Sequence, residues 1–335
     1  MVRGSGNLSV QARQSLASLG GRRWAARCVA ALVSLAGAAH AAPVVEPAPH
    51  GFGEGVQVRA VAGAALAGLE AVGDANSDSI ELRAIDSTLV ATLSRQRLEA
   101  LLPGFGLGGA DDGPIGLALT DSGRVLFAVL LNGQRGILSS LPDAIVRYDL
   151  DADDLTVFAR LDLGSLLGTG RGAPIVHFRG RLLVGVGSTL RSFEAGTNTR
   201  VASSSTSTAV SGDIRAIAID RTASTVLLAT ELSLLRAPFS TGAMTFTSLG
   251  GVSGTRSMAF SDHYGGVSNP GLFLAVDDAF GPRMLRLSVA AVRGSGPVTP
   301  ATYLTPSFWP IATSASGTIV RGGLSEAGGG GGEAG

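Results

Sequence analysis

From Pro114 to Leu161 the chain alternates short apolar runs with tight polar breaks: GPIGLALT, DSGR, VLFAVLL, the polar insert Asn132–Pro142 (NGQRGILSSLP), AIVRYDL, DADD, LTVFARL. Short apolar or alternating runs bounded by Gly, Asp and Ser read as β-strands. The stretch therefore predicts four strands in succession. Looser copies follow. A first strand recurs as GLALT, PIVHF, RAIAI and SMAF, with Leu119, Phe178, Ile219 and Phe260 in matching places. A second, the most continuously apolar, recurs as VLFAVLL, RLLVGVG, TVLLAT and GLFLAV. A third carries an arginine after an apolar pair: Arg147, Arg191, Arg236 and Arg286, with Arg83 in the same place upstream. Before the repeats become countable, VQVRAVA, SIELRAID and TLVATLS have strand-like alternation. Ser94–Leu102 (SRQRLEALL) predicts one short helix, stopped by Pro103.

The five arginine signatures are spaced 64, 44, 45 and 50 residues apart, the long interval containing the insert. A period near 45 with four strands per unit is the mark of propeller blades. The physics favours closure: a four-stranded sheet hides neither face alone, so the sheets stack face to face around an axis. The expected fold is an all-β propeller, of six four-stranded blades, with five or seven compatible with the same pattern. Five blades are legible at about 56–103, 114–163, 172–206, 212–250 and 254–304. The sixth would combine Phe308–Leu324 with N-terminal strand material in a strand-swapped closure.

The segment Gly116-Leu117-Ala118-Leu119-Thr120-Asp121-Ser122-Gly123-Arg124-Val125-Leu126-Phe127-Ala128-Val129 resembles the GLA-x-x-x-DG-x-LYVA segment of six-bladed propellers. That superfamily includes TolB-like, NHL-repeat and gluconolactonase/regucalcin-like proteins. The resemblance spans roughly residues 56 to 320 and implies an architecture, not a member. No WD dipeptide occurs.

The ends are of a different character. Residues 1–41 hold five arginines and no acid; Arg22, Arg23 and Arg27 precede an apolar run from Cys28 to Ala39 that ends in Ala39-His40-Ala41. A basic flank, about a dozen apolar residues and an A-x-A site are the parts of a secretory signal peptide. The run is shorter than the roughly 20 residues that a membrane span needs. Export to the periplasm or beyond, with cleavage near Ala41, is the expectation; an organellar transit peptide is the other reading of an acid-poor leader. Residues 42–55 read as a Pro/Gly linker, 56–324 as the propeller and 325–335 as a disordered Gly-rich tail. Without the leader, 21 basic and 26 acidic residues remain and no basic run, so no nucleic-acid footprint is present. The chain has no lysine and its single cysteine is Cys28, which rules out Schiff-base and Walker A lysines.

Asp74-Ala75-Asn76-Ser77-Asp78 presents oxygen ligands at positions 1, 3 and 5 of a loop, the spacing of a calcium loop. It resembles the D-x-N-x-D-G loops of EF-hands and integrin-type propellers. Ser79 stands where those have glycine, and no acid follows at the twelfth place, Ile85. Asp74, Asn76 and Asp78 are thus candidate Ca²⁺ ligands, with a polar turn as the competing reading. His177, on a first strand, is a candidate general base or a packed residue. Gly104–Gly109 matches G-x-G-x-x-G, but it follows Pro103 and leads into no helix, so it is not a dinucleotide site. No G-x-S-x-G is present.

No complete catalytic set emerges. The expected function is a non-catalytic binding module for a protein or a saccharide/peptide ligand on one ring face. Its recognition loops are the inserts Asn132–Pro142 and Asp262–Pro270. The alternative is a metal-dependent hydrolase of lactonase or esterase type at the channel mouth, which the resemblance allows; Glu54, Asp262, Asp277 and Asp278 are its available acids. A third reading is support for an envelope complex.

Overall fold

The runs that are apolar without interruption become the second strands of successive sheets, because that position is covered on both faces and both sides. In the computed structural model, which describes residues 58–64, 67–74, 77–84, 88–107, 113–133, 142–163, 172–261, 271–304, 311–313 and 319–321, all seven residues of VLFAVLL are buried. The chain divides into two compact units, Met1–Ala41 and Ala42–Gly335; every described residue belongs to the second.

Five four-stranded antiparallel sheets follow one another. The first blade is β1 (Val58–Ala64), β2 (Leu69–Asp74), β3 (Ser79–Ala84) and β4 (Leu89–Leu93). The second is β5 (Gly113–Leu119), β6 (Val125–Leu131), β7 (Asp143–Asp149) and β8 (Asp154–Leu161). The third is β9 (Ile175–Phe178), β10 (Arg181–Val186), β11 (Thr189–Glu194) and β12 (Ser205–Ala209). The fourth is β13 (Ile214–Asp220), β14 (Thr225–Thr230), β15 (Leu234–Pro238) and β16 (Thr247–Gly250). The fifth is β17 (Thr255–Ser261), β18 (Gly271–Asp278), β19 (Gly281–Ser288) and β20 (Ala301–Leu304). A two-stranded hairpin, β21 (Ile311–Thr313) and β22 (Ile319–Arg321), comes last. The fold is a β-propeller with five blades, where six were expected: beyond Leu304 the described residues supply two strands, not four. The first strand of each blade is innermost, and β21 lies beside both β17 and β1.

Each joint between consecutive blades has its own apolar core. Leu82, Leu98, Leu117 and Val146 fill the first joint, Phe127, Phe158, Leu182 and Phe193 the second. Phe178, Leu183, Ile217 and Leu228 fill the third, and Leu227, Phe260, Leu274 and Leu287 the fourth. Radial stacking therefore hides both faces of a sheet. Burying a side chain such as Phe127 contributes about 2–3 kcal/mol. Exposure rises outward: β12, an outermost strand, alternates exposed and half-buried.

The helix expected at Ser94–Leu102 is α1 (Arg95–Leu101), with Ser94 Oγ accepting the Arg97 N–H as its cap. Strand β2 was not expected, because AGAALAGLEAVGD is small and alanine-rich; pairing with β1 and β3 overrides that local preference. The short helix α2 (Val289–Arg293), between β19 and β20, was also missed.

Two expected equivalences shift by one residue. In β5, β13 and β17 an extra residue (Ile115, Arg215, Arg256) interrupts the pairing with the second strand, and it fixes the alignment of the blades. Counting inward from there, His177 and not Phe178 matches Leu119, Ile219 and Phe260. The cause is the turn: β9 reverses through Arg179 and Gly180 alone, both at positive φ, where β1, β5 and β13 use four residues. Likewise Arg147, Arg236 and Arg286 pair with Phe127, Leu227 and Phe273 and are true counterparts. Arg83 and Arg191 pair one place away, opposite Glu70 and Val184, and so lie on the other face of their sheets. Nor are these arginines confined to outer strand faces: Arg147 is 2% exposed.

Candidate functional site: the axial cavity and its two mouths

Because strands alternate in direction within each blade, two sets of loops leave each end of the ring. First-to-second and third-to-fourth connections share one face. Second-to-third connections and those between blades share the other. The two inserts expected to form one recognition surface are separated by this rule. Asn132–Pro142 joins a second strand to a third, whereas Asp262–Pro270 joins a first to a second, so they leave opposite faces. Residues 134–141 and 262–270 themselves lie outside the described residues.

On the axis, a cavity of about 120 Å³ is lined by three consecutive residues from each innermost strand of the five blades. Leu117, Ile175, Ile217 and Met258 are representative; among the described residues that line it, only His177 and Arg221 ionise. Arg221 stands in the β13–β14 turn. Its Nη1 meets Asp121 Oδ1 at 2.5 Å, an ion pair between the fourth and second blades, across the third. Nη2 donates to the main-chain oxygen of His177 at 3.5 Å, and the guanidinium carbon sits 5.5 Å from the Phe178 ring centroid. Arg179 approaches the same ring at 5.2 Å.

His177 is a packed residue. Its ring stacks on Phe127 with centroids 5.9 Å apart and planes 9° from parallel. Nε2 lies 3.1 Å from the Ala195 carbonyl oxygen, which can only accept, so Nε2 carries the proton. Nδ1 is then an acceptor, buried and without a partner. Burial drives the imidazole pKa below its ordinary value, against the raising influence of the Ala195 carbonyl and of Asp121 and with the help of Arg221.

On the other face the insert springs from a rigid stem. Asp143, fully buried, accepts the Asn132 N–H at 3.0 Å and the Leu163 N–H at 2.7 Å. The Asn132 side chain in turn accepts the Gly106 N–H at 2.9 Å, and Gly133 N–H donates to Gly106 O. Gly106, in the run after α1, thereby ties its main chain to Asn132 and Gly133 just beyond β6. Two turn tips of the same face, in the fourth and fifth blades, carry exposed apolar side chains: Leu232 between β14 and β15 is 62% exposed, and Phe280 between β18 and β19 is 80%; on the opposite face Val201, between β11 and β12, is 62% exposed. Arg283 holds Phe280 from below, 4.8 Å from its centroid, while bonding Asp278 at 2.7 Å.

Of the expected calcium ligands, Asn76 lies outside the described residues. Asp74 ends β2 and accepts from Ser77 Oγ at 2.6 Å. Asp78 is buried at positive φ, packed against Gly113 of the second blade, with Arg95 3.9 Å away. Among the described residues no three His, Cys, Asp or Glu side chains are grouped so as to hold a metal ion. Asp277 and Asp278 are engaged by Arg256 and Arg283 of their own blade, whereas Glu54, Asp262 and the other histidines, His40, His50 and His263, are outside the described residues. No described helix is long and apolar enough to cross a membrane.

Sequence reasoning missed Asp143, Asp121 and Arg221. The face assignment was available from strand counting; the pairing of Asp121 with Arg221 was not, since nothing local relates turns 100 residues apart.

No family model matches the chain, and no curated protein does. Among solved structures it is similar to one titled "Structure of U3-55K", with a TM-score of 0.48 and 9% identity over 78% of this chain and 71% of that one. It is also similar to a "Crystal structure of Nidogen/Laminin Complex", with a TM-score of 0.45 and 15% identity over 70% of this chain and 76% of that one.

Proposed function

We propose that this propeller is an exported, non-catalytic binding module that docks a partner protein on the face carrying the second-to-third-strand turns. The observation that carries the reading is the pair Leu232 and Phe280, an aliphatic and an aromatic side chain left in water at equivalent tips of adjacent blades. Large exposed apolar side chains on a rigid scaffold are typical anchors of protein interfaces. The stem of the Asn132–Pro142 insert, fixed by Asp143, rises on the same face.

A photo-cross-linker at position 280, in the extracytoplasmic fraction of the native host, tests this. One protein adduct is expected, lost in Leu232→Asp and absent when the cross-linker is placed at Arg124 on the opposite face. Equal labelling from both positions, or retention of the chain by saccharide alone, would overturn the reading. Export itself is checked by the mature N-terminus, expected at Ala42; a chain that retains Met1 in the cytoplasm would contradict it.

The ring is further proposed to close as six sectors. In this reading β21 and β22 are the inner half of the sixth blade, and chain before Val58 adds outer strand. The placement of β21 beside both β17 and β1 supports it. Deleting residues 42–57 is then expected to destabilise the fold. An unchanged unfolding midpoint would remove the strand swap.

A further inference from the structure

We propose that the axial cavity, where Arg221 of the β13–β14 turn meets Asp121 of the β5–β6 turn, is a binding site for a small organic carboxylate with an apolar tail, whose head group displaces Asp121 from Arg221. Arg221 is the single charge among the described residues that line the cavity, since burial outweighs the Ala195 carbonyl and keeps His177 neutral, its Nε2 proton spent on Ala195 O. The remaining walls are apolar side chains and strand backbone, suited to a short aliphatic tail.

The guanidinium is held by more than its counter-ion. Nη2 reaches the His177 carbonyl and its flat face rests on Phe178, so it keeps its position when the Asp121 side is vacated. Asp121 belongs to a different blade and its side chain is 45% exposed, that of Arg221 33%. An ion pair this wet contributes little, roughly 0–1 kcal/mol, so an incoming carboxylate exchanges with it at small cost. The resting partner also defines the chemistry: a carboxylate oxygen already occupies the place on Nη1, the charge-assisted bond that an incoming carboxylate would take over. The site faces away from Leu232 and Phe280, so it stands or fails independently of the docking surface.

The probes are hexanoate and hexan-1-ol, titrated into the full chain by calorimetry and by amide NMR. A short peptide with a free α-carboxylate and its amide, run alongside, separate a free acid from a chain end as the source of the carboxylate. Hexanoate is expected to saturate one site at least about tenfold more tightly than the alcohol. Asp121→Asn should tighten hexanoate binding several-fold by removing the internal competitor, the reverse of what loss of a structural ion pair would do. Arg221→Met should erase the preference for acid over alcohol. Should that variant fail to fold, Arg221→Lys, which keeps charge but not the fork, should weaken hexanoate while leaving hexan-1-ol unchanged. No saturable binding to folded wild type, or weaker or equal binding to Asp121→Asn, would overturn the proposal.

Discussion

The guanidinium of Arg147 donates to the main-chain oxygen of Thr197 at 2.6 Å, and so pins the third strand of the second blade to the third-to-fourth connection of the next. The same group reaches Asp149 at 3.0 Å. Its counterpart Arg236 donates to Val292 O at 2.7 Å in the corresponding connection of the fifth blade. At the first joint α1 takes over the task, with Arg97 donating to Asp153 O at 2.9 Å. A connection that leaves a sheet has carbonyls without ladder partners, and an arginine from the preceding blade satisfies one of them.

Arg147→Met is accordingly expected to destabilise the chain by about 2–4 kcal/mol, because it strands a carbonyl and takes the partner from Asp149. Arg236→Met, less buried and without a carboxylate partner in its staple, should lose about 1 kcal/mol. Urea unfolding midpoints measure both. Equal, negligible losses would show that the staples only decorate the joints.

His177 makes stability depend on pH. Its folded pKa is depressed, chiefly by burial, so between that value and the unfolded value of about 6.5 the unfolded chain binds more protons. Stability is full above pH 6.5 and is lost as pH falls toward the folded pKa. His177→Leu, which installs the residue found at the matching Leu119, should flatten the slope of unfolding free energy between pH 7 and 5. A slope unchanged in the variant would assign it to other groups.

Gly116 lies where the second blade meets the third: a Cβ there would stand 2.6 Å from the Ala173 carbonyl oxygen. The adjacent Ile115 oxygen accepts the Ala173 N–H at 2.7 Å, so the backbone cannot retreat without breaking that bond. Gly116→Ala should therefore lower stability by roughly 1–3 kcal/mol, read from thermal melts.

Asp143→Asn replaces a carboxylate that accepts two buried N–H groups with an amide that must turn a donor toward one of them. A loss of about 2–3 kcal/mol is expected. The distinguishing readout is faster hydrogen exchange at Asn132 and Leu163 while amides of the fourth blade stay protected.

Much of the architecture was legible because strands advertise themselves locally. The unbroken apolar runs at 125–131 and 271–276 required a position covered on both faces, and they are second strands. Pro103 marked the end of the helix expected at Ser94–Leu102. What failed locally was whatever a neighbour decides. Residues 69–74 do not stand out as a strand until β1 and β3 flank them. Phe178 looked like the partner of Leu119 until a two-residue turn moved the register, and Arg83 and Arg191 looked like Arg147 until the pairing put them on the opposite face.

Sequence alone determined that sheets of four strands must stack about an axis, since the alternation of apolar residues along a strand sets which faces need covering. Only the tertiary structure decided what the axis brings together: Arg221 with Asp121, His177 with Phe127, and the two inserts on opposite faces. Periodicity acts between residues two apart in the chain, whereas contacts across a ring are set by the angle between blades, which no local pattern carries.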